Sequence, residues 1–392
     1  MRPLIVAVAD GMGDLPCPAS GGTPLETAAT PTLDQMARHA VTGLCRTIPP
    51  RTIAGTETGL PALAGYDPQQ FRLPRGPLEA MGAGISPAPD TAVWRLNIVS
   101  LDPADRVEDF TAGNLDDESA ARLLHAAAHL AHPSLACITG SSFRHLLLQH
   151  HARRNTAAPD IPLPHESQGA HRRILLDALQ TVPKLHRLVT GSLALPQARR
   201  QNGGKLMLWP WGQGHRPHLP SFAALHGRRA AMVAGIHLAL GLAQAAGMTV
   251  ARNAAFTGDI HTDYTAKSRE ALALLKDHDT VFIHLEATDL YGHNRDAAGK
   301  RDALTRFDTQ ILRPLYRAYP QAVFLVTCDH LTPVTTGRHH AGPVPFLVYD
   351  AALPAMPPRH FCEATAARSG LCLPCGPSLL GLTLEHAGSP SV

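Results

Sequence analysis

Acidic and imidazole side chains follow several apolar runs of this sequence, at the points where buried strands would end. The set comprises Asp10, Asp289, His293, Asp329, His330 and His339. In an open α/β sheet the carboxyl ends of the strands form the ligand-binding edge, so residues that follow strands can meet there. Aspartate oxygens and histidine nitrogens suit borderline divalent cations such as Zn²⁺ or Mn²⁺. The set therefore predicts a site for two divalent metal ions with open positions.

Spacing within the set indicates how it would divide between two ions. Asp329 and His330 are adjacent, so in an extended chain their side chains point in opposite directions and could serve neighbouring ions. Asp289 and His293 are four residues apart, and the intervening Gly292 favours a strand-to-helix loop over a helix interior. Each residue alone could be a helix cap or a surface hydrogen-bonding group, so the prediction rests on the whole set.

Thr56 is the candidate nucleophile. It lies in a loop flanked by glycines, with the sequence GTETG at residues 55–59. A hydroxyl bound to a metal ion loses its proton more easily and becomes a competent nucleophile at neutral pH. Thr56 could therefore accept a phosphoryl group covalently. The alternative is that Thr56 only caps the helical turn that follows it.

Arg75 and Arg95 are candidate clamps for the phosphate or carboxylate of a substrate. A guanidinium group presents a planar fork of donors that matches such anions. The alternative is that both arginines form surface ion pairs. The sequence leaves the two interpretations open.

Composition bounds the function classes. The chain has 392 residues, of which 44% are apolar, enough for a large core and about two domains. The net charge of +3 is spread along the chain, which argues against nucleic-acid and membrane-surface partners and leaves a small anionic substrate. The N-terminus lacks the pattern of a signal peptide, and no apolar run approaches the ~20 residues of a membrane span. We expect a reduced, cytoplasmic protein.

Strand-like and helix-like patterns alternate in the outer parts of the sequence. This alternation predicts an α/β fold with a mostly parallel sheet and helices on both faces, formed by residues 1–101 and 205–392. Between them, residues 102–204 contain helical stretches, a short strand and a polar loop. We predict that residues 102–204 form a smaller, inserted α+β domain that caps the substrate.

Several short motifs together resemble the archaeal type of cofactor-independent phosphoglycerate mutase, a family within the alkaline phosphatase superfamily. They are ADGMGD at 9–14, TPLE at 23–26, TPTLD at 30–34, GYDP at 65–68, RGPLEA at 75–80, TDLYGH at 288–293 and DHLTP at 329–333. The motifs occur in order and at plausible spacing up to about residue 350. This ordered series is far more specific than any single motif.

The resemblance implies an activity and a division of the ligands. In that family, a metal-bound serine takes the phosphoryl group from phosphoglycerate and returns it to the other hydroxyl of glycerate. By resemblance, one ion would be held by Asp10, Thr56, Asp329 and His330, and the other by Asp289, His293 and His339. Lys267 and Arg75 fall in segments that lie near the substrate in the family. The implied cofactors are two divalent ions, Mn or Zn, with Co or Mg as alternatives.

Two departures from the family pattern leave other activities open. Thr56 stands where the family has its nucleophilic serine, and threonine adds a methyl group that stiffens χ1. In this respect the chain is more similar to the nucleotide pyrophosphatase/phosphodiesterase and phosphonoacetate hydrolase branches of the superfamily, in which the nucleophile is a threonine. The segments DFTAGN at 109–114 and WPWGQG at 209–214 resemble a bacterial subgroup proposed to act as homoserine kinases. The second segment could also be ordinary core packing.

We therefore expect a metal-dependent phosphotransferase that works through a phosphothreonine and interconverts 2- and 3-phosphoglycerate in glycolysis. The enzymatic alternatives are a phosphatase, phosphodiesterase or phosphonate hydrolase, or a homoserine kinase-like phosphotransferase, of the same superfamily. A non-enzymatic alternative is a scaffold that binds metal without performing chemistry.

Overall fold

The computed structural model describes residues 1–16, 21–152 and 159–388. Its strands, in chain order, are β1 Leu4–Ala9, β2 Ala40–Cys45, β3 Ala92–Leu101, β4 Val107–Asp109, β5 Leu135–Ser141, β6 Arg144–Gln149, β7 Lys205–Gly214, β8 Ala230–Val233, β9 Thr249–Ala251, β10 Thr280–Leu285, β11 Val323–Thr327, β12 Val344–Tyr349 and β13 Cys372–Leu373.

The α-helices, in chain order, are α1 Pro24–Thr27, α2 Pro31–Ala37, α3 Thr56–Leu63, α4 Arg75–Gly82, α5 Asp117–Ala128, α6 Arg173–Ala178, α7 Pro183–Ser192, α8 Phe222–His226, α9 His237–Ala245, α10 Tyr264–Leu274, α11 Ala287–His293, α12 Ala297–Arg306, α13 Arg313–Ala318, α14 Glu363–Arg368 and α15 Gly376–His386. Short 3-10 turns occupy Pro164–Glu166, Leu179–Thr181 and Pro196–Ala198, and a π-helical turn at Phe307–Leu312 joins α12 to α13.

The larger compact unit contains Met1–Leu73 and His218–Val392. Its sheet has the order β13-β2-β12-β11-β1-β10-β8-β9, and the run from β11 to β9 is parallel. Only β12 runs against its neighbours β11 and β2. Every residue of β1 and β10 is buried, as expected for central strands of a parallel sheet that is covered on both faces. The predicted α/β class with a mostly parallel sheet is confirmed.

The smaller compact unit spans Pro74–Pro217 and contains an antiparallel sheet in which β3 pairs with β4, β6 and β7. The predicted insertion at 102–204 is therefore too narrow, because β3 and β7 belong to this sheet. All ten residues of β3 are buried, so its sequence looks like that of a core strand in the larger unit. Strand partners are a long-range property that local pattern does not reveal.

A search for membrane-spanning elements gave a negative result for the described part of the chain. Among those residues, no helix combines the length and the apolar character that crossing a membrane would need.

Candidate metal centre

Three neighbouring parallel strands deliver the acidic residues to one edge of the large sheet. β1 lies between β10 and β11, with Ala9 opposite Leu285 and Val8 opposite Thr327. Asp10 follows β1 directly, and Asp329 follows β11 after one further residue. Asp289 lies in α11, which begins two residues after β10 ends. The predicted convergence at the carboxyl ends is therefore what the structure contains.

Four residues form what we call the inner cluster: Asp10, Thr56, Asp329 and His330. Nε2 of His330 lies 3.2 Å from Oδ1 of Asp10 and 3.5 Å from Oδ2 of Asp329. Oγ1 of Thr56 lies 3.3 Å from Oδ2 of Asp10 and 3.5 Å from Nε2 of His330. All four residues are buried.

Three residues form the outer cluster: Asp289, His293 and His339. Nε2 of His293 lies 3.1 Å from Oδ2 of Asp289, and Nε2 of His339 lies 3.6 Å from Oδ1 of the same carboxylate. The Nδ1 atoms of the two histidines lie 2.9 and 3.0 Å from the carbonyls of Gly337 and Ala54, respectively. A carbonyl only accepts, so each Nδ1 donates its proton, and Nε2 of each ring faces the cluster, where it can offer a lone pair to a cation when the ring is neutral.

Glycine packing positions both clusters. Gly59 in α3 lies against the backbone carbonyl of Asp329, where an added Cβ would clash. The predicted loop around Gly292 is instead helical, because Asp289 and His293 both lie in α11. An added Cβ at Gly292 would come within 2.6 Å of the Thr332 carbonyl oxygen. Gly59 and Gly292 therefore allow α3 and α11 to approach the segment that carries Asp329 and His330.

The sequence-based set omitted residues that adjoin the inner cluster. His284 is fully buried in β10, and its Nε2 lies 3.5 Å from Oδ2 of Asp10. Thr332 donates a 2.5 Å hydrogen bond to Asp289, and its hydroxyl lies 3.1 Å from Nδ1 of His330. The available signal for His284 is a single histidine inside the otherwise apolar run of β10.

Lys267, a predicted substrate contact, has a buried ammonium group that donates two hydrogen bonds within the protein. It donates to Oε2 of Glu286 at 2.7 Å and to the carbonyl oxygen of His284 at 2.6 Å. The residue has no exposed surface. This geometry gives Lys267 a structural ion pair, so its contact with substrate stays a prediction.

Within the smaller unit, the two predicted anion clamps meet at one carboxylate. Glu79 lies 3.0 Å from Nε of Arg75 and 3.0 Å from Nη1 of Arg95. Both guanidinium groups also lie over the ring of Trp211, at 5.2 and 5.9 Å from its centroid. Burial lowers the pKa of Arg95 to about 10 in spite of the neighbouring Glu79. The two arginines are therefore held in a fixed arrangement, and Trp211 of the WPWGQG segment packs against them.

Known proteins resemble this chain over nearly its whole length. A family model described as the metalloenzyme superfamily matches residues 2–371. The chain belongs to the metalloenzyme superfamily. It is 32% identical to the 2,3-bisphosphoglycerate-independent phosphoglycerate mutase of Methanosarcina barkeri, over 97% of this chain and 98% of that protein. The second such mutase of Methanothermobacter thermautotrophicus is 31% identical, with coverages of 94% and 93%.

Solved structures show the same architecture as this metalloenzyme. A protein from Pyrococcus horikoshii matches with a TM-score of 0.80 and 25% identity, over 99% of this chain and 97% of that one. The cofactor-independent phosphoglycerate mutase of Thermoplasma acidophilum matches with a TM-score of 0.62 and 23% identity, over 99% and 100%. The predicted resemblance to the bisphosphoglycerate-independent mutases is confirmed.

The residues of this metalloenzyme fit divalent cations. Two ligand atoms bound at ~2.1 Å to one tetrahedral ion lie about 3.4 Å apart. In the two clusters, histidine Nε2 atoms lie 3.0 to 3.6 Å from neighbouring aspartate oxygens or from another histidine Nε2. Among the described residues, Oδ1 of Asp10 and Oδ2 of Asp329 are buried and have no hydrogen-bond partner. Buried carboxylate oxygens without donors are costly, and a bound cation would satisfy them.

Electrostatics distinguish the clusters. Burial and the charges of Asp329 and Asp289 raise the pKa of Asp10 well above its usual value. Burial alone would also raise the pKa of Asp289, but the charges and hydrogen bonds of His293 and His339 hold it well below its usual value. Within the described chain, the ion pairs of these aspartates are with histidines, not with lysine or arginine. The site therefore favours added positive charge.

Proposed function

We propose that this metalloenzyme is a phosphotransferase that interconverts 2- and 3-phosphoglycerate through a phosphorylated Thr56. The observation that supports it most directly is the position of the Thr56 hydroxyl among the ligands of the inner cluster. Thr56 is the first residue of α3, while Gly55 is its N-cap, and no side chain caps this helix. The helix-capping alternative for Thr56 therefore has no support in the hydrogen bonds of α3.

Different residues of the chain have different roles in the proposed phosphoryl transfer. Divalent ions, when bound, would polarise the phosphoryl oxygens and make a bound hydroxyl easier to deprotonate. Asp10 accepts the hydrogen bond of the Thr56 hydroxyl, which orients the oxygen for attack on phosphorus. As the bond from Thr56 to phosphorus forms, the bond to the substrate oxygen breaks, and that oxygen gains a proton equivalent to the one Thr56 loses. The return step reverses these events at the other hydroxyl of glycerate.

We further propose that one ion is held by Asp10, Thr56, Asp329 and His330 and the other by Asp289, His293 and His339. Manganese or zinc is the proposed identity, and cobalt or magnesium would also be accepted by such ligands. Arg75 and Arg95 are proposed to bind the carboxylate or phosphate of the substrate. The capping role of the smaller unit and the cytoplasmic location are kept here as predictions from the sequence.

The covalent route is tested by assaying purified protein with 3-phosphoglycerate and Mn²⁺ or Zn²⁺, with enolase as the coupling enzyme. Thr56→Ala should lower turnover by at least about 10³-fold because the nucleophilic oxygen is gone. Thr56→Ser keeps the hydroxyl and should keep activity within about tenfold. Full turnover by Thr56→Ala would contradict the phosphothreonine route. Free phosphate as the product would instead identify a hydrolase, and phosphorylation of homoserine would identify a kinase-like transferase.

The anion clamps are tested by Arg95→Lys, which keeps the charge but loses the fork of donors. We expect KM for phosphoglycerate to rise by about tenfold or more, because a lysine makes a single-point contact. Arg173→Lys in the same unit is the control, since Arg173 is exposed at the start of α6. An unchanged KM for Arg95→Lys would leave Arg95 as a structural partner of Glu79.

A further inference from the structure

His284 presents a buried nitrogen to the inner cluster. Nε2 of His284, Oδ1 of Asp10 and Oδ2 of Asp329 are all buried, and in the described part of the chain none of them has a hydrogen-bond partner. His284, Asp10 and Asp329 each offer one ligand atom, and these atoms lie within 4.8 Å of one another. Three buried polar atoms without partners, close together at the carboxyl edge of the large sheet, carry a desolvation cost that a bound cation would offset.

A second buried pair fixes the ring of His284. Its Nδ1 faces Oε1 of Glu286 at 3.4 Å, and the other oxygen of that carboxylate accepts from Lys267 at 2.7 Å. Oε1 of Glu286 also accepts from the backbone N–H of Gly235 at 2.7 Å. Glu286 is therefore held on both oxygens. Because Glu286 forms a buried ion pair with Lys267, this carboxylate is ionised and only accepts.

The contact between Nδ1 of His284 and Glu286 determines which ring nitrogen of His284 carries the proton. An ionised Glu286 requires the proton of a neutral His284 on Nδ1, which leaves a lone pair on Nε2. His293 and His339 of the outer cluster show the same arrangement, with Nδ1 held by an acceptor and Nε2 turned inward. At 3.5 Å from Oδ2 of Asp10, Nε2 of His284 is too far for a good hydrogen bond and at the spacing of two ligands on one ion.

We propose that His284 is a direct ligand of the ion held by Asp10 and Asp329, and that Glu286 and Lys267 position its ring for that role. The proposal deepens the proposed function, and it rests on the two-metal part of it. It gives the inner ion a second nitrogen ligand beside His330, which favours zinc or cobalt over magnesium at this position.

The decisive experiment is a crystal structure of the wild-type protein loaded with Zn²⁺, with anomalous data collected above the zinc edge. The proposal expects an ion about 2.0–2.3 Å from Nε2 of His284. An inner ion more than about 3 Å from that nitrogen would overturn it, and would identify His284 as a hydrogen-bond donor to Asp10 instead.

A solution experiment supplies a readout independent of activity. Zinc binding is measured by competition with a chromophoric chelator for wild type, His284→Gln, Glu286→Gln and the control His278→Gln. His278 lies in the same unit, and its ring nitrogens contact Leu274 and Thr249. Wild type and the control should bind two equivalents, whereas His284→Gln and Glu286→Gln should weaken one of them by about 10–100-fold and retain the other.

The retained equivalent shows that the variants are folded, because the outer cluster needs the same sheet edge. Two equivalents of unchanged affinity in His284→Gln would overturn the proposal and leave the proposed function standing. Fewer than two equivalents in the wild type would instead count against the two-metal function itself. Zinc binding that follows the expected pattern, without mutase activity, would support the ligand role of His284 and redirect the search for substrate.

Discussion

The two metal-ligand clusters lie side by side but differ in how the protein supports them. The aspartate side chains of the inner cluster that contact His330 are no more than 5% exposed, whereas the side chains of His293 and His339 in the outer cluster are 37% and 21% exposed. Backbone carbonyls accept from Nδ1 of both outer histidines, whereas Nδ1 of His330 in the inner cluster lies beside the side-chain hydroxyl of Thr332. If each cluster holds one ion, as proposed, the inner ion would complete the core and the outer ion would bind closer to the surface.

Removal of the metals tests this difference with the largest expected effect. Dialysis against a chelator should lower mutase activity by at least about 10³-fold, because each ion contributes several kcal/mol to the transition state. The loss should occur in two phases, with the outer ion leaving first because its ligands are exposed to solvent. Metal content and activity are followed together over time. Simultaneous loss of both ions would remove the distinction between the clusters.

Substitution of the two packing glycines should have the next largest effect. Gly59→Ala places a methyl group against the Asp329 carbonyl and should destabilise the protein by about 2–4 kcal/mol. Gly292→Ala places its methyl group against the carbonyl of Thr332 and should cost less, about 1–3 kcal/mol, because the overlap with the nearest carbonyl oxygen is less deep than at Gly59. Urea unfolding in the presence of Zn²⁺ measures the free energy of unfolding of both variants.

Gly381 is the control for the glycine series. It lies within α15, and an added Cβ would meet no atom within 4 Å. Gly381→Ala should therefore stabilise the protein by about 0.5–1 kcal/mol, the ordinary helix preference for alanine. If Gly59→Ala behaved like this control, the close approach of α3 to Asp329 would be wrong.

The sequence predicted most of the centre because its ligands follow strands. Asp10 and Asp329 end apolar runs whose parallel pairing is the common arrangement in an α/β sheet, so their meeting follows from general rules. His284 was missed because it lies within such a run, where a single polar residue is usually a satisfied core group. Its proposed role depends on Asp10, which follows the neighbouring strand β1. The alignment of β1 with β10 brings the two residues together, and the local sequence around His284 does not reveal that alignment.

The unit boundary was missed for a related reason. Strand β3 is buried throughout its length, as a central strand of either unit would be. Only its pairing with β6 and β7 assigns it to the smaller sheet. Arg75 and Arg95 both lie in the smaller unit, whereas the predicted boundary places them in the larger one, and their contact with substrate stays a prediction.

Replacing one aspartate of each cluster by asparagine, in metal-free protein, tests how differently the protein supports the two carboxylates. Asp10 has an unpartnered oxygen and a raised pKa, so Asp10→Asn should stabilise the metal-free protein by about 1–2 kcal/mol. Asp289 accepts hydrogen bonds from Thr332 and pairs with two histidines, so Asp289→Asn should destabilise it by a similar amount. Urea unfolding in excess chelator measures both, and shifts of the same sign would contradict the comparison.

Glu363 is a buried carboxylate outside both clusters and supplies the smallest test. It accepts hydrogen bonds from the N–H of Asp14 at 2.9 Å and the hydroxyl of Thr23 at 2.7 Å. Burial nevertheless raises the pKa of Glu363 from 4.5 to about 7. Between these values the folded protein keeps a proton that the unfolded chain releases, so the contribution of Glu363 to stability falls as pH rises.

We therefore expect the free energy of unfolding of Glu363→Gln, relative to wild type, to rise by about 1 kcal/mol per pH unit near pH 6, within the range from pH 5 to pH 8. The measurement is urea unfolding across that range with Zn²⁺ present, and the quantity of interest is the difference between the two proteins. Glu118→Gln is the matched control, because the side chain of Glu118 is 84% exposed and its substitution should leave the pH profile unchanged. A parallel profile for Glu363→Gln would mean that two hydrogen bonds are enough to keep a buried carboxylate charged here. In that case the unpartnered oxygens of Asp10 and Asp329, rather than their burial, would be the feature that calls for a cation.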